Sequence, residues 1–192
     1  MAHGIKVTQS EILSDHWYTL RKVTYDYQNK EGNWETHQRE VYDRGNGATI
    51  LLYNPESKKV ILTRQFRLPT YVNGNANGLL IEACAGLLDA DKPEACIRKE
   101  TEEETGYKVT DVKKIFESYM SPGSVTEIIY FFVAKYTQEM KVSEGGGIAE
   151  EEENIEVLEL DFEAAYDMIA EGSIKDGKTI MLLQYAKINK LV

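Results

Sequence analysis

Cysteine, proline and histidine are scarce in this chain, and bases are outnumbered by acids. There are two cysteines, four prolines and three histidines in 192 residues. Cys84 and Cys96 sit beside apolar neighbours in "IEACAG" and "EACIRK", with no metal-type spacing. That excludes a disulfide framework and fits packing roles in a reducing compartment. His3, His16 and His37 lie apart and show no zinc-type spacing. Long apolar runs are also missing. The longest, "IIYFFVA" at 128–134, is too short to span a bilayer. The opening "MAHGIKVTQSE" has no apolar core of a secretory leader. A cytoplasmic location with no membrane partner is expected. Lys and Arg number 22 against 32 Asp and Glu, a net charge of −10. Phosphate backbones need a basic surface, so nucleic acid is not an expected partner. A small phosphorylated ligand remains compatible, held through divalent ions and a few local bases.

What is present suits a globular protein with a true core: 42% hydrophobic and 28% charged residues. The length fits one domain or a domain with a small module. Residues 4–44 read as a short antiparallel ribbon. "WYTLRKVTYDYQ" (17–28) and "WETHQREVYDR" (34–44) alternate around the turn "NKEGN". Such a ribbon is marginal alone and needs a partner surface. "GNG" at 45–47 breaks the pattern. Expected domains are therefore 1–45, a β-ribbon, and 46–192, the larger domain. In the latter, strands are expected at 48–54, 59–68, 79–86, 112–121, 128–136 and 155–162. Residues 71–78 and 145–154 read as loops, and 93–105, 163–172 and 178–188 as helices. Pro93 starts the first helix and Gly106 lies just past its end. The expected class is α/β (α+β), a mixed sheet with helices on its faces.

The helix at 93–105 ends in "RKETEEETG", with Glu100, Glu102, Glu103 and Glu104 close to its C-terminus. Acids there oppose the helix dipole by roughly 0.3–1 kcal/mol each. Positions 100, 103 and 104 share a face, while Glu102 points elsewhere. Converging carboxylates suit Mg²⁺, which takes hard oxygen ligands and bridges to phosphates. A solvated charged face is the alternative, and the repulsions alone are too small to exclude it.

The stretch "AGLLDADKPEACIRKETEEETGY" (85–107) resembles the Nudix box: Gly, five residues, Glu, seven residues, Arg-Glu-aliphatic-any-Glu-Glu-any-Gly-aliphatic. Gly86, Lys99-Glu100, Glu103-Glu104 and Gly106 match its anchors. Lys99, Thr101 and Tyr107 depart from it, and the approach from Gly86 to Lys99 is one residue short, which leaves Asp91 as the upstream acid. The resemblance implies a Nudix α/β/α sandwich. It also implies metal held by Glu100 and Glu104, with Glu103 assisting and the Ala85 carbonyl contributing. Mg²⁺ is the implied ion, with Mn²⁺ as its substitute.

Further blocks, "VYDRGNGATILLYN", "RQFR", "VNGN", "AGLLD", "YMSPGSVTE" and "IKDGKT", resemble in matching order the GDP-mannose pyrophosphatase branch of the ADP-ribose and nucleotide-sugar pyrophosphatases. That resemblance implies a homodimer exchanging its N-terminal ribbons and a nucleotide-sugar substrate. By it, Arg67 meets a phosphate; a surface or ion-paired Arg is the alternative. Arg64 is the weaker candidate. Ala85, Gly86 and Leu87 lie along the substrate. Glu127 faces the substrate or is a hairpin-loop acid. Glu153 binds metal or acts as general base with Glu152 beside it, although the run Glu150–Glu153 alone reads as a solvated loop. Lys178 reaches phosphate or sugar, or is a surface lysine at a helix start. Trp17 and Gln38-Arg39-Glu40 hold the base or ribose, in the same or the partner subunit. Trp17 has an aromatic face to stack on a base, or is ribbon core.

The implied reaction is GDP-mannose plus water giving GMP and mannose 1-phosphate. ADP-ribose or another nucleotide sugar is the alternative substrate. A nucleotide-sugar sensor on a Nudix scaffold is the non-enzyme alternative.

Overall fold

A computed structural model describes residues 4–88, 92–148 and 153–192. The chain divides into two compact units. One comprises the chain up to Asn46 together with Tyr119–Ile128, and the other comprises Gly47–Ser118 with Ile129–Val192.

The first unit is built on a three-stranded sheet of β1 (Ile5–Asp15), β2 (Thr19–Gln28) and β3 (Trp34–Asp43), in that order. Both pairings are antiparallel. Asn29 shapes the β2–β3 turn: its side-chain oxygen accepts from the amides of Glu31 (3.1 Å) and Asn33 (2.9 Å). The segment 121–126 is tied to β3. The Tyr42 amide donates to the Ser124 carbonyl at 2.8 Å, and the Thr126 amide to the Tyr42 carbonyl at 3.1 Å. Ile5, Val7, Ile12 and Leu13 of β1, with Trp34 of β3, remain exposed. Three strands with so little covered apolar surface are marginal by themselves.

The second unit holds a seven-stranded mixed sheet. Its members are β4 (Gly47–Asn54), β5 (Lys59–Phe66), β6 (Leu79–Glu82), β7 (Cys84–Leu87), β8 (Lys113–Tyr119), β9 (Ile128–Lys135) and β10 (Glu156–Asp161). The main order is β10-β5-β4-β9-β8, with β6 paired to β5 and β7 to β4. β4 and β9 run parallel, while β4 is antiparallel to β5 and β7. Every β4 residue from Gly47 to Tyr53 is buried, so both faces of this strand are covered. The helices α2 (Pro93–Thr105) and α4 (Gly177–Ile188) both pack on it. Ile97 of α2 shares a core with Ala48, Ile50, Leu52, Phe132 and Tyr136.

Two expectations are refined. The stretch 79–86 is not one strand: it breaks at Ala83, so that β6 extends β5 and β7 extends β4. The expected loop 71–78 is preceded by a short helix, α1 (Leu68–Val72), started by Pro69 in its first turn. The helices expected at 163–172 and 178–188 are α3 (Phe162–Glu171) and α4. Two of the departures in the box, Thr101 and Tyr107, have structural reasons. Thr101 is fully buried and satisfies its hydroxyl by donating to the Ile97 carbonyl at 2.5 Å. Buried Tyr107 packs edge-on against Tyr136, with ring centroids 5.0 Å apart.

Candidate functional site

The carboxylates of α2 are sorted by what lies beneath them. Glu104 points inward and is 2% exposed. Its Oε2 has no hydrogen-bond partner among the described residues. Burial pushes its carboxyl up to about 8; a hydrogen bond with the Cys84 thiol opposes that, and Glu100 and Glu153 add to it. Glu100 lies over β7, where Gly86 leaves room: a β-carbon there would stand 2.1 Å from the Glu100 carboxyl carbon. Glu103 and Glu102 lie further out, paired with Lys99 (3.5 Å) and Lys108 (3.4 Å).

The helix end and the distant acid are joined through glycines. α2 stops at Gly106, which adopts φ 79°. The carbonyls of Glu104 and Glu103 would otherwise lack partners at a helix end. They accept from the amides of Gly146 (2.9 Å) and Gly147 (3.1 Å). Gly147 in turn sits against Glu153, whose Oε2 accepts from the Ile148 amide at 3.0 Å. The same short loop thus caps the acidic helix and carries Glu153, whose charge reaches Glu104.

A second cluster pairs two cations with two carboxylates. Arg67, just after β5, donates from Nε to Glu82 Oε2 at 2.6 Å. Lys178, in the first turn of α4, donates to Glu82 Oε1 at 3.3 Å and to Asp176 Oδ1 at 2.7 Å. Burial acts to lower the Lys178 ammonium, but Asp176 and Glu82 outweigh it and hold it above its ordinary value. Asp176 caps α4 by accepting from the Thr179 amide at 2.9 Å. The Thr179 hydroxyl donates to Asp176 and accepts from the Ala83 amide at 2.7 Å. Arg67 and Glu104 are close enough for each to shift the other's ionisation. The two clusters therefore flank one stretch of backbone, Glu82 to Gly86.

The second unit brings together Ala85, Gly86, Glu100, Glu104 and Glu153, with Arg67 and Lys178 nearby. Leu87 continues β7, and its carbonyl accepts from the Cys96 thiol at 3.1 Å. Arg64 is taken up by an ion pair with Glu156. Trp17, Gln38, Arg39, Glu40 and Glu127 belong to the first unit. Trp17 is 86% exposed, so within the chain it is not ribbon core. Gln38, Arg39 and Glu40 lie on β3 opposite Thr24, Val23 and Lys22. Arg39 and Glu40 line a groove of about 670 Å³ together with Val23, Tyr25 and Val41 of the sheet and Val125 of the segment 121–126. Glu127 pairs with Arg44 at 3.4 Å. Glu152 and Asp91 lie outside the described residues. Three residues of the clusters were not expected: Glu82, Asp176 and Cys84. Glu82 had a visible signal, a single acid inside the apolar run "LLIEACAG".

A family model of the NUDIX domain matches residues 43–182. The chain belongs to the Nudix family. A second model, described as the GDP-mannose pyrophosphatase NudK N-terminal domain, matches residues 4–42 of this Nudix protein. It is 56% identical to proteins named GDP-mannose pyrophosphatase from Shigella dysenteriae serotype 1 (strain Sd197) and Escherichia coli O157:H7, over all of both chains. A relative of the same name from Enterobacter sp. (strain 638) is 57% identical over the same full span. This Nudix protein is accordingly an enzyme, a hydrolase.

Nudix hydrolases generally use divalent metal ions. Among the described residues, no three His, Cys, Asp or Glu side chains already form a ligand set. The donors nevertheless fit a hard cation. The side chains are all carboxyl groups, and the buried Glu104 Oε2 has no other partner to satisfy it. Gly86 leaves the space that Glu100 occupies.

Proposed function

We propose that the enzyme hydrolyses GDP-mannose with Mg²⁺, giving GMP and mannose 1-phosphate. The observation that carries this reading is the buried, unpartnered carboxyl of Glu104, near enough to Glu100, Glu153 and Arg67 for their charges to shift its ionisation, with Lys178 joined to Arg67 through Glu82. The substrate comes from the names of relatives alike over the full length.

Glu100, Glu104 and Glu153 would hold the metal, with Glu103 assisting and the Ala85 carbonyl contributing. Bound there, divalent ions neutralise phosphate charge and lower the pKa of an attacking water. Glu153 takes the proton of that water or orients it. The Ile148 amide holds one of its oxygens, which fixes the carboxylate's direction. Arg67 and Lys178 offset charge developing on the phosphoryl oxygens. The backbone of Ala85, Gly86 and Leu87 lies along the substrate. In the first unit, Trp17 offers an open ring for stacking on guanine, and Gln38, Arg39 and Glu40 offer polar groups to base or ribose. Glu127 and Glu152 are assigned to the substrate on the same resemblance.

We take the chain as a ribbon, 1–45, and a catalytic domain, 46–192, assembled as a homodimer through exchanged ribbons. The exposed apolar side chains of β1 support that reading, since a three-stranded sheet of this kind needs a covering surface. Two free, buried thiols fit a cytoplasmic enzyme.

The test is a panel of GDP-mannose, GDP-glucose, ADP-ribose and NADH with Mg²⁺, reading released mononucleotide. GDP-mannose should be turned over fastest. Faster turnover of ADP-ribose would move the assignment to that substrate and leave the reaction class standing.

A further inference from the structure

We propose that Glu82 is the positioning residue of the phosphate site: one buried carboxylate that holds both Arg67 and Lys178 in place for the substrate. The proposal rests on the reading of those two cations as phosphate ligands.

Glu82 ends β6, directly before the break at Ala83. Its side chain is 4% exposed. A carboxylate at that depth is tolerated only when charge and hydrogen bonds compensate it. Both oxygens are compensated, each by a different cation: Oε2 by Arg67 Nε and Oε1 by Lys178 Nζ. These cations arrive from distant parts of the chain, one after β5 and one at the start of α4. Among the described residues, Glu82 is the single side chain that bonds to both.

The mode of contact matters. Arg67 uses its inner nitrogen for Glu82, and its side chain is 40% exposed. Among the described residues no hydrogen bond engages its terminal nitrogens. The guanidinium is thus anchored at its base with its outer donors available, the geometry suited to a phosphate. Lys178 is held by two carboxylates, Glu82 and Asp176. The backbone reinforces the anchor. Thr63 lies opposite Glu82 in the sheet, and its hydroxyl donates to the Glu82 carbonyl at 3.2 Å. Thr179, next to Lys178, accepts the amide of Ala83, next to Glu82. The start of α4 is therefore tied to the same turn of chain.

The four charges of the cluster cancel in number, two cations against Glu82 and Asp176. Its contribution is then orientation rather than net attraction. Loss of Glu82 should free Arg67 and Lys178 to swing, which costs transition-state binding more than folding.

Glu82→Gln keeps size and removes the charge; Glu82→Asp keeps the charge but is one methylene too short to reach both cations. Each is made in the wild-type and in the Arg67→Ala background, and kcat/KM for GDP-mannose with Mg²⁺ is measured beside thermal unfolding. Either variant that folds is expected to lose at least about 30-fold in the wild-type background. The same change should cost clearly less when Arg67 is absent, at most about tenfold, because only the hold on Lys178 is then left to lose, the non-additivity of groups that act together. A loss of equal size in both backgrounds, or kcat/KM within threefold of wild type, overturns the proposal. Undiminished turnover in Arg67→Ala itself instead overturns the phosphate reading of that residue, and this inference with it.

Discussion

Glu100 lies so close over Gly86 that a β-carbon on Gly86 would stand 2.1 Å from its carboxyl carbon. The glycine is needed for space rather than for backbone freedom, because Gly86 is not among the residues of positive φ. Gly86→Ala should therefore fold with little loss of stability and push the flexible Glu100 side chain aside. A displacement of ~1 Å at a catalytic group costs on the order of 10²-fold. Turnover should fall by about that factor while the melting temperature moves little; unchanged turnover would remove Glu100 from the site.

Gly106 gives the contrasting case. Its φ is 79°, and a β-carbon there would meet the Ser143 carbonyl oxygen at 2.1 Å, a backbone atom that cannot turn away. Gly106→Ala should lower stability by about 1–3 kcal/mol, read by denaturant unfolding. It should also disturb the loop that carries Glu153. A variant as stable as wild type would contradict the tight cap described for α2.

Burial holds Glu104 protonated up to about pH 8, against an ordinary value of 4.5. Between those values the metal-free folded protein binds a proton that the unfolded chain has lost. The stability this provides is full below the window and falls as pH rises through it. In EDTA, wild type should lose melting temperature relative to Glu104→Gln from about pH 4.5 to about pH 8. A constant difference between the two proteins would contradict the burial of Glu104. With Mg²⁺ present, Glu104→Gln and Glu100→Gln should each lower kcat by about 10²–10³-fold, roughly 3–4 kcal/mol of charge stabilisation.

Much of this was readable in advance, and the exceptions have physical causes. Pro93 and Gly106 mark the ends of α2, because one pre-sets a helical φ and the other accepts a left-handed one. Helical spacing puts Glu100, Glu103 and Glu104 on one face, but it does not say how deep each lies. The burial of Glu104 depends on packing against Cys84, which is remote in sequence. Glu82 was hidden inside an apolar run because its partners, Arg67 and Lys178, come from other elements. The break at Ala83 was unreadable for a similar reason. A strand that leaves one partner for another keeps the same apolar pattern throughout.

The Arg67, Lys178, Glu82 and Asp176 charges cancel, so this cluster offers a diphosphate little net attraction. Substrate binding should then depend on divalent ions. By calorimetry, the wild-type protein is expected to bind a non-hydrolysable analogue of GDP-mannose, with a methylene in place of the bridging oxygen, at least about tenfold more weakly in EDTA than with Mg²⁺, a difference of ~1.4 kcal/mol. Equal affinity in both conditions would show that the protein's own cations suffice.

The central claim is a metal-dependent cleavage of GDP-mannose at its pyrophosphate bond. The most direct measurement separates the products of GDP-mannose incubated with the purified enzyme and Mg²⁺. The account predicts GMP and mannose 1-phosphate in equal amounts, with none formed in EDTA. No release from GDP-mannose with Mg²⁺, or release of GDP and free mannose instead, would contradict it.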